Sequence, residues 1–413
     1  MEFDETFLTL NKNEPSDRHP PSIHRINVSG SFKLYVEEFG NKNSPAALYL
    51  HGGWGPRKDE GKNEACDVFD PERFRVIFFH QRGWGSSEPI GQIEENFLEN
   101  SIEDCETVRK SLKIEYWNIV YGGSNGATLA LAYAACCGAE IVNSLILRGL
   151  WLMREEDLLH DYGSIDGKAK HYPAEFPRFL SYVGLERHRL ENDFKEKAGL
   201  EVVQRYLAAL LPSKYRDREG GAIMINDQHT SSAFDSCEEK LKLAKAWLSW
   251  DGLGGSVIPC NKPKQHSQQS LAEKKSTTGK DKSNIALLTP EYETACMGLN
   301  LYLNHNRNSN YGLTVVQGDG THSPFRKQSI AADNILELAQ ERLKNMPIFF
   351  IAGEFDMLCP PKMAYEVAVA IYGNDDSTWK RKYFRQVHGA AHSARDKGMK
   401  DEIRKVVKEL SLE

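Results

Sequence analysis

The sequence lacks the features of a membrane-spanning, secreted or nucleic-acid-binding protein. None of its apolar runs approaches the roughly 20 residues that a helix needs to cross a bilayer. It begins Met-Glu-Phe-Asp-Glu, which is acidic where a signal peptide would be basic and then apolar. The formal net charge is −6, and the basic residues are spread along the chain without a basic stripe for a polyanion. We therefore expect a cytoplasmic protein with no membrane and no nucleic-acid partner.

The eight cysteines also lack the spacing of a metal site. None of them forms a Cys-x-x-Cys pair or another pattern that suits zinc. Cys136 and Cys137 are adjacent in a segment of small residues, where packing inside a helix is the expected role. We expect reduced, mostly buried thiols, and neither a metal ion nor an organic cofactor.

One short motif carries most of the information about function. Gly122-Gly123-Ser124-Asn125-Gly126 directly follows the apolar run 117–121 and precedes the small-residue stretch 127–133. A strand, a sharp turn and a helix in this order present a serine as a nucleophile above a sheet. Glycines on both sides allow the backbones to approach where side chains would clash. The motif predicts Ser124 as the nucleophile, and a chance match of the Gly-x-Ser-x-Gly pattern is the alternative.

Short apolar runs alternate with helical segments around this motif. Two strands joined at Gly30 are expected within 24–39, and a helix is expected from Ser101 to about Leu112, where Ser101 would begin a capping box. Strands followed by helices predict an α/β fold, a mostly parallel sheet covered by helices on both faces, with the site along its carboxyl edge. The expected buried strands are 46–50, 74–79, 117–121, 142–147, 346–352 and 382–387.

The pattern of alternating strands and helices divides the chain into three parts. Residues 1–150, with the N-terminal hairpin, form the first part of the sheet domain, and 336–413 form the second part. Between them, 151–335 is mainly helical and rich in charge and aromatic residues, which predicts an inserted cap. Within the cap, the polar segment 261–284 has almost no apolar residue and is expected to be a flexible surface excursion.

A serine hydroxyl needs a base to accept its proton and a carboxylate to orient that base. Asp356 follows one predicted strand, and His392 lies in a Gly/Ala loop after the next. The chain order Ser, Asp, His is that of α/β-hydrolases, which predicts a catalytic triad of Ser124, Asp356 and His392. The alternatives are His388 for the base, and Glu354 or the pair Asp375 and Asp376 for the acid.

Attack on a carbonyl builds negative charge on its oxygen, so the site must present hydrogen-bond donors to that oxygen. The backbone N–H of Asn125 is one candidate donor. The second is expected from the glycine loop that follows strand 46–50, with Gly53 or Trp54 as the donor. A simple tight turn is the alternative interpretation of this loop.

Together these residues resemble the proline iminopeptidases (prolyl aminopeptidases) of the α/β-hydrolase superfamily. The resemblance covers most of the sheet domain. Its motifs, in order, are His51-Gly52-Gly53, 69–76, Gln81-Arg82-Gly83, Gly122-Gly123-Ser124, 128–133, Leu147-Arg148-Gly149, Asp356 with Cys359-Pro360, and 389–393. The resemblance implies an α/β-hydrolase with a cap, which cleaves an N-terminal proline from peptides.

In this family, acidic residues of the cap bind the free amine of the substrate. The segment 246–252 resembles the family segment that supplies one such acid, with Asp251 where the family has glutamate, so Asp251, Trp250 and Trp247 are candidate substrate-binding residues. A turn acid is the alternative role for Asp251. The segment 297–303 has no acid where the family has its second one. The chain also departs from the family at Asn125, Trp54 and His80.

Three functions follow from these observations. The first is a serine hydrolase that releases an N-terminal proline or similar residue from short peptides or amides. The second is an esterase, thioesterase, lactonase or related acyl-cleaving enzyme with a changed cap pocket, which the missing acid at 297–303 would suit. The third is a binding protein that has lost activity. The intact Ser124, Asp356 and His392 favour an enzyme acting on a small molecule or short peptide.

Overall fold

The structure is a computed structural model. It describes residues 20–53, 60–92, 96, 98–210, 237–255, 314–316, 322–324, 332–374 and 377–411. The predicted excursion 261–284 and the acid-free segment 297–303 lie outside these ranges. Within them, no helix is both long enough and apolar enough to cross a membrane.

Eight strands form one sheet in the order β1-β2-β4-β3-β5-β6-β9-β10. The six strands from β4 to β10 run parallel, and β2 joins β4 antiparallel, with β1 as its hairpin partner. Two further strands, β7 and β8, pair with each other. The strands are β1 Ser22–Asn27, β2 Lys33–Phe39, β3 Ala46–Leu50, β4 Arg75–His80, β5 Ile119–Gly123, β6 Leu145–Arg148, β7 Thr314–Val316, β8 His322–Pro324, β9 Ile348–Gly353 and β10 Phe384–Val387.

Helices cover both faces of the sheet and build the cap. They are α1 Glu60–Val68, α2 Leu98–Ser111, α3 Asn125–Cys137, α4 Glu155–Leu158, α5 Glu175–Ser181, α6 Arg187–Arg189, α7 Ala198–Leu210, α8 Cys237–Asp251, α9 Ala332–Arg342, α10 Pro361–Tyr372, α11 Ser377–Lys382 and α12 Lys397–Leu410. Short π-helical turns span Leu159–Gly163 and Leu190–Phe194, and short 3-10 turns span Lys168–Lys170 and Lys195–Lys197.

The central strands are buried on both sides, because successive side chains point to opposite faces. In β9, Ile348 and Phe350 pack beneath α2, α3, α9 and α10, whereas Phe349 and Ile351 pack against α1 and α12. This explains why these strands read as continuous apolar runs. The predicted mostly parallel sheet with helices on both faces is confirmed.

The cap has a separate aromatic core. Trp247 stacks on Tyr162 with ring centroids 4.8 Å apart, and Phe179 stacks on both Tyr206 at 4.7 Å and Trp250 at 5.0 Å. This cluster is built from residues between β6 and α8, together with Cys359 and Met363 of the sheet domain. The cap therefore has its own hydrophobic core and rests on the segment that follows β9.

Two predicted boundaries differ from the structure. Helix α2 begins at Leu98, so Ser101 is buried inside the helix, and the predicted capping box at Ser101 is wrong. The apolar stripe starts one turn earlier than the capping pattern indicated, since Leu98 packs in the same core as Ile102. Helix α9 packs in the core of the sheet domain through Ile335 and Ala339, so the predicted boundary at 335 falls inside a helix.

A buried ion pair fixes the loop after β4 to helix α2. Arg82 is wholly buried, and its Nε donates a hydrogen bond of 2.7 Å to Oδ2 of Asp104, which is also buried. The guanidinium lies over the ring of Phe32, 4.8 Å from its centroid. An Arg–carboxylate pair of this geometry holds both charges away from water, so neither partner can be removed without leaving the other uncompensated.

We expect Asp104→Asn to lower the free energy of unfolding by roughly 3 kcal/mol, because the Arg82 guanidinium would stay buried without a counter-charge. Urea unfolding followed by circular dichroism measures this. The control is Glu103→Gln, which removes the same charge from the exposed neighbouring position of α2. Equal urea midpoints for Asp104→Asn and Glu103→Gln would contradict the stabilising role of the buried Arg82–Asp104 pair.

Candidate active site

Ser124 lies in a strained turn between β5 and α3. Its φ of 55° and ψ of −126° put a non-glycine residue in a conformation that costs about 1–3 kcal/mol and that L side chains rarely adopt. The backbone N–H of Ser124 donates to the carbonyl of Arg148, at 2.8 Å, at the end of the adjacent strand. The predicted strand, turn and helix are present, and the turn raises Ser124 above the carboxyl edge of the sheet.

The two glycines of the motif allow close backbone contact on both sides of Ser124. A Cβ on Gly122 would lie 2.1 Å from the carbonyl oxygen of Gly126, and a Cβ on Gly126 would lie 2.3 Å from the carbonyl oxygen of Leu50. Both distances are far below any real contact between such atoms. The spacing of the motif therefore reflects the packing of α3 against the ends of β3 and β5.

Asp356 and His392 form a hydrogen-bonded pair at the same edge of the sheet. Oδ2 of Asp356 lies 2.8 Å from Nδ1 of His392. Oδ1 accepts from the backbone N–H groups of Leu358 at 3.0 Å and Cys359 at 2.8 Å, so both oxygens of this buried carboxylate are occupied. A carboxylate held in this way orients the imidazole with its proton on Nδ1 and leaves Nε2 to act as a base.

The alternative acid and base lie elsewhere. The side chain of His388 is 85% exposed, and its Nδ1 lies 3.5 Å from the partly exposed carboxylate of Glu354. Glu354 also accepts the backbone N–H of Gly389. Asp375 and Asp376 lie outside the described residues. The structure thus brings His392, and not His388, to the buried Asp356.

Arg148, at the end of β6, connects the parts of the site. Its buried guanidinium donates to the carbonyl oxygen of His392 and, from Nε, to Oη of Tyr121 at 3.3 Å. Nη2 lies directly under Gly123, where an added Cβ would come within 2.3 Å of it. The sequence placed Arg148 only in a family motif. A charged residue at the end of an otherwise apolar strand was the signal that could have identified it.

The glycine loop after β3 lies against Ser124, the predicted nucleophile. A Cβ on Gly52 would lie 3.2 Å from Cβ of Ser124, and one on Gly53 would lie 3.7 Å from Cβ of Asn125. The backbone N–H of Asn125 is in the first turn of α3, where amides lack intrahelical acceptors. Gly53 and Asn125 therefore stay the predicted oxyanion donors, and Trp54 lies outside the described residues.

His51 holds this loop in place. Its Nε2 accepts the backbone N–H of Gln81 at 3.1 Å, and its carbonyl oxygen accepts from the Gln81 side chain at 2.9 Å. Nδ1 lies 2.9 Å from the carbonyl oxygen of Gly52. Desolvation lowers the pKa of His51 to about 4, so the ring is neutral at physiological pH and its Nε2 can accept a hydrogen bond. His51 is thus a structural support for the predicted oxyanion loop.

The three predicted substrate-binding residues lie inside the cap. Trp247 is wholly buried in the aromatic core, and Trp250 is nearly so, with its Nε1 donating to the carbonyl oxygen of Asp161 at 2.9 Å. Asp251, at the end of α8, is mostly buried and accepts from Oη of Tyr162 at 2.6 Å. Their contact with substrate stays a prediction.

The cap touches the loop that carries Asp356, the predicted catalytic acid. Nε2 of His160 lies 3.4 Å from the carbonyl oxygen of Met357, and Gly254 packs against the Met357 side chain. Burial lowers the pKa of His160, which favours a neutral ring at this contact. The end of α8 and the π-helical turn Leu159–Gly163 therefore lie over the loop that follows Asp356.

One group of side chains among the described residues has the spacing of metal ligands. Donor atoms of Asp356, Cys359 and His392 lie within 4.8 Å of one another. Burial raises the pKa of the Cys359 thiol well above its usual range, and a protonated thiol is a poor ligand. The Asp356–His392 hydrogen bond accounts for the proximity of two of these groups, and their catalytic role stays a prediction.

Comparisons with known proteins show what the chain is similar to. Residues 46–188 match the α/β hydrolase fold family. The chain is 26% identical over 384 residues to a proline iminopeptidase of Arabidopsis thaliana, covering 93% of this chain and 78% of the relative. It is 25% identical to a proline iminopeptidase of Xylella fastidiosa, covering 89% of each. A solved haloalkane dehalogenase variant of Bradyrhizobium elkanii aligns with a TM-score of 0.49 and 14% identity, over 95% of this chain and 98% of that one.

The fold and the site define an α/β-hydrolase, an enzyme of the serine hydrolase class. Within that superfamily, the chain is similar to proline iminopeptidases (prolyl aminopeptidases) over most of its length.

We expect Arg148→Lys to lower kcat roughly 10- to 100-fold with little change in KM, because lysine cannot hold His392 and Tyr121 at once and a small displacement of a reacting group is costly. Steady-state kinetics on any substrate that the enzyme turns over measures this. Arg342→Lys is the control, since Arg342 also donates to two backbone carbonyls, those of Ala135 and Cys136, away from the site. Equal effects of the two changes would contradict a positioning role.

Proposed function

We propose that this enzyme releases the N-terminal residue, proline foremost, from short peptides and amides through an acyl-enzyme on Ser124. The observation that supports this most is the Asp356–His392 hydrogen bond at the same sheet edge as the strained turn of Ser124. The relatives named above, which carry the name proline iminopeptidase, support the choice of substrate.

In the proposed reaction, Oγ of Ser124 attacks the carbonyl carbon of the first residue while Nε2 of His392 accepts its proton. Asp356 stabilises the imidazolium that forms. The N–H of Asn125 and a donor of the Gly53 loop bind the oxyanion. The C–N bond then breaks, and His392 gives its proton to the leaving amine. Water attacks the acyl-enzyme by the same route and releases the free amino acid.

Recognition of the N-terminus requires a negative group in the cap. A substrate amine is a cation at neutral pH, and a cation in a partly dry pocket needs a carboxylate partner. We assign this role to Asp251, a buried acid at the end of helix α8, because Gly254, shortly after it, packs against Met357 in the loop that follows Asp356. Its Oδ1 is oriented by Tyr162.

We expect the enzyme to hydrolyse prolyl p-nitroanilide and to lose at least about 100-fold in kcat/KM when the proline nitrogen is acetylated, because acetylation removes the positive charge that a buried carboxylate binds. Absorbance of released p-nitroaniline measures both rates. Ser124→Ala, which keeps the fold and removes the nucleophile, sets the background. Equal or faster turnover of the acetylated compound would contradict the proposal and favour an acyl hydrolase for neutral substrates.

A further inference from the structure

A group of polar side chains lies beneath the turn of Ser124, on the face of the sheet that α1 and α12 cover. It consists of Tyr49 of β3, Tyr121 of β5 and Arg148 of β6. All three residues are buried, and the two tyrosines pack in the same apolar cluster as α1 and α12. A hydroxyl or a guanidinium in such a place needs polar partners, because burial removes the water that would bind it.

The pairing of the strands brings these side chains together. Tyr121 pairs in register with Tyr49, and Gly123 pairs with Arg148. Side chains two residues apart in a strand share a face, so Arg148 lies on the same face as Tyr121. Gly123 leaves the space beside Arg148 open, since a Cβ there would come within 2.3 Å of its Nη2. The guanidinium therefore lies against Gly123 and reaches Tyr121.

From this position Arg148 makes two hydrogen bonds that no other side chain of the site makes. Its Nε donates to Oη of Tyr121 at 3.3 Å, and its Nη1 donates to the carbonyl oxygen of His392. The guanidinium is planar and rigid, so an acceptor that fixes Nε also fixes the direction of Nη1. The hydroxyl of Tyr121 thus helps to determine where the carbonyl of His392 is held.

Tyr49 holds Tyr121 in turn. The two rings stack with their centroids 4.8 Å apart and their planes inclined by 22°. Tyr49 also contacts the ring of Phe78 in β4, with centroids 6.0 Å apart. This stack limits the rotation of the Tyr121 ring and keeps its hydroxyl at Arg148.

The charge of Arg148 is balanced from a distance. Among the described residues, no carboxylate forms an ion pair with its guanidinium. Desolvation disfavours the charge, but Tyr121 and Glu64, a half-buried acid of α1, outweigh desolvation and raise the pKa of Arg148. Burial, and after it the charge of Glu64, raises the pKa of Tyr49 well above its usual range. A buried cation without a contacting carboxylate depends on its hydrogen bonds for its position.

We propose that Tyr121 is a positioning residue. By fixing Nε of Arg148, its hydroxyl keeps the carbonyl of His392, and with it the imidazole, where it can accept the proton of Ser124. The proposal rests on the proposed function, because the base that Tyr121 positions is the base of that reaction. Tyr121 lies on β5, three residues before Ser124, so one strand presents the nucleophile and holds the base in place.

Tyr121→Phe removes the hydroxyl and keeps the stacked ring. We expect kcat to fall about tenfold with little change in KM, because Tyr121 is buried beneath the turn and a small displacement of a reacting group is costly. The loss should be the same on prolyl p-nitroanilide and on a neutral p-nitrophenyl ester, since both reactions use His392. Steady-state kinetics measures this, and circular dichroism checks the fold of each variant. A change in KM alone, or an unchanged kcat, would overturn the proposal.

Tyr372→Phe is the matched control. The hydroxyl of Tyr372 also binds two groups, since it donates to the carbonyl oxygen of Met346 at 2.6 Å and accepts the backbone N–H of Ile348 at 3.0 Å. These contacts are at the amino end of β9, away from the site. Tyr372→Phe should therefore keep the kcat of the wild type, and equal losses in the two variants would overturn the proposal.

A double-mutant cycle with Arg148→Lys separates positioning from a general structural role. If Tyr121 acts through Arg148, the double variant should lose no more activity than Arg148→Lys alone. Two independent losses would multiply instead. A double variant about tenfold slower than Arg148→Lys would overturn the proposal.

Fluorophosphonate labelling separates this proposal from the proposed function, because labelling of Ser124 needs His392 but no substrate amine. We expect the labelling rate to fall about tenfold in Tyr121→Phe and to stay unchanged in Tyr372→Phe. The same pattern in a protein that does not hydrolyse prolyl p-nitroanilide would refute the proposed function and support the role of Tyr121. Equal labelling rates in Tyr121→Phe and the wild type would overturn the role of Tyr121 for any substrate.

Discussion

The hydrogen bond between Asp356 and His392 is the interaction on which the site depends. It joins residues from two loops, after β9 and after β10, and it is possible only because these strands are parallel neighbours. Each end is anchored separately. Two backbone amides hold the other oxygen of Asp356, and Arg148 holds the carbonyl of His392. The carbonyl oxygen of Arg148 also accepts the backbone N–H of Ser124, so one residue of β6 links His392, the predicted base, to Ser124, the predicted nucleophile.

Much of the fold of the sheet domain could be predicted from the sequence, because residues adjacent in the chain determine its strands and turns. Each central strand is an uninterrupted apolar run, and the strands in the structure lie within three residues of the prediction. Ser124 was identifiable from the two glycines beside it, since their close contacts with the backbone leave no room for a side chain. The choice of Asp356 and His392 followed from their places after strands, which a parallel sheet brings to one edge.

The rest of the site depends on contacts that no local pattern encodes. Arg148 reaches His392 across 244 positions of sequence, and Lys168 reaches Asp251 across 83. The start of α2 was predicted wrongly at Ser101, since a capping pattern inside a helix looks like one at its end. Tertiary packing against the core decided the true start at Leu98.

The central claim is that His392, oriented by Asp356, activates Ser124. The most direct measurement is the rate at which a fluorophosphonate labels the protein, with the modified residue located by peptide mass spectrometry. The account predicts rapid labelling at Ser124, a rate at least about 100-fold lower in His392→Ala, and an unchanged rate in His388→Ala. Labelling at another residue, or equal rates in the two histidine variants, would contradict it.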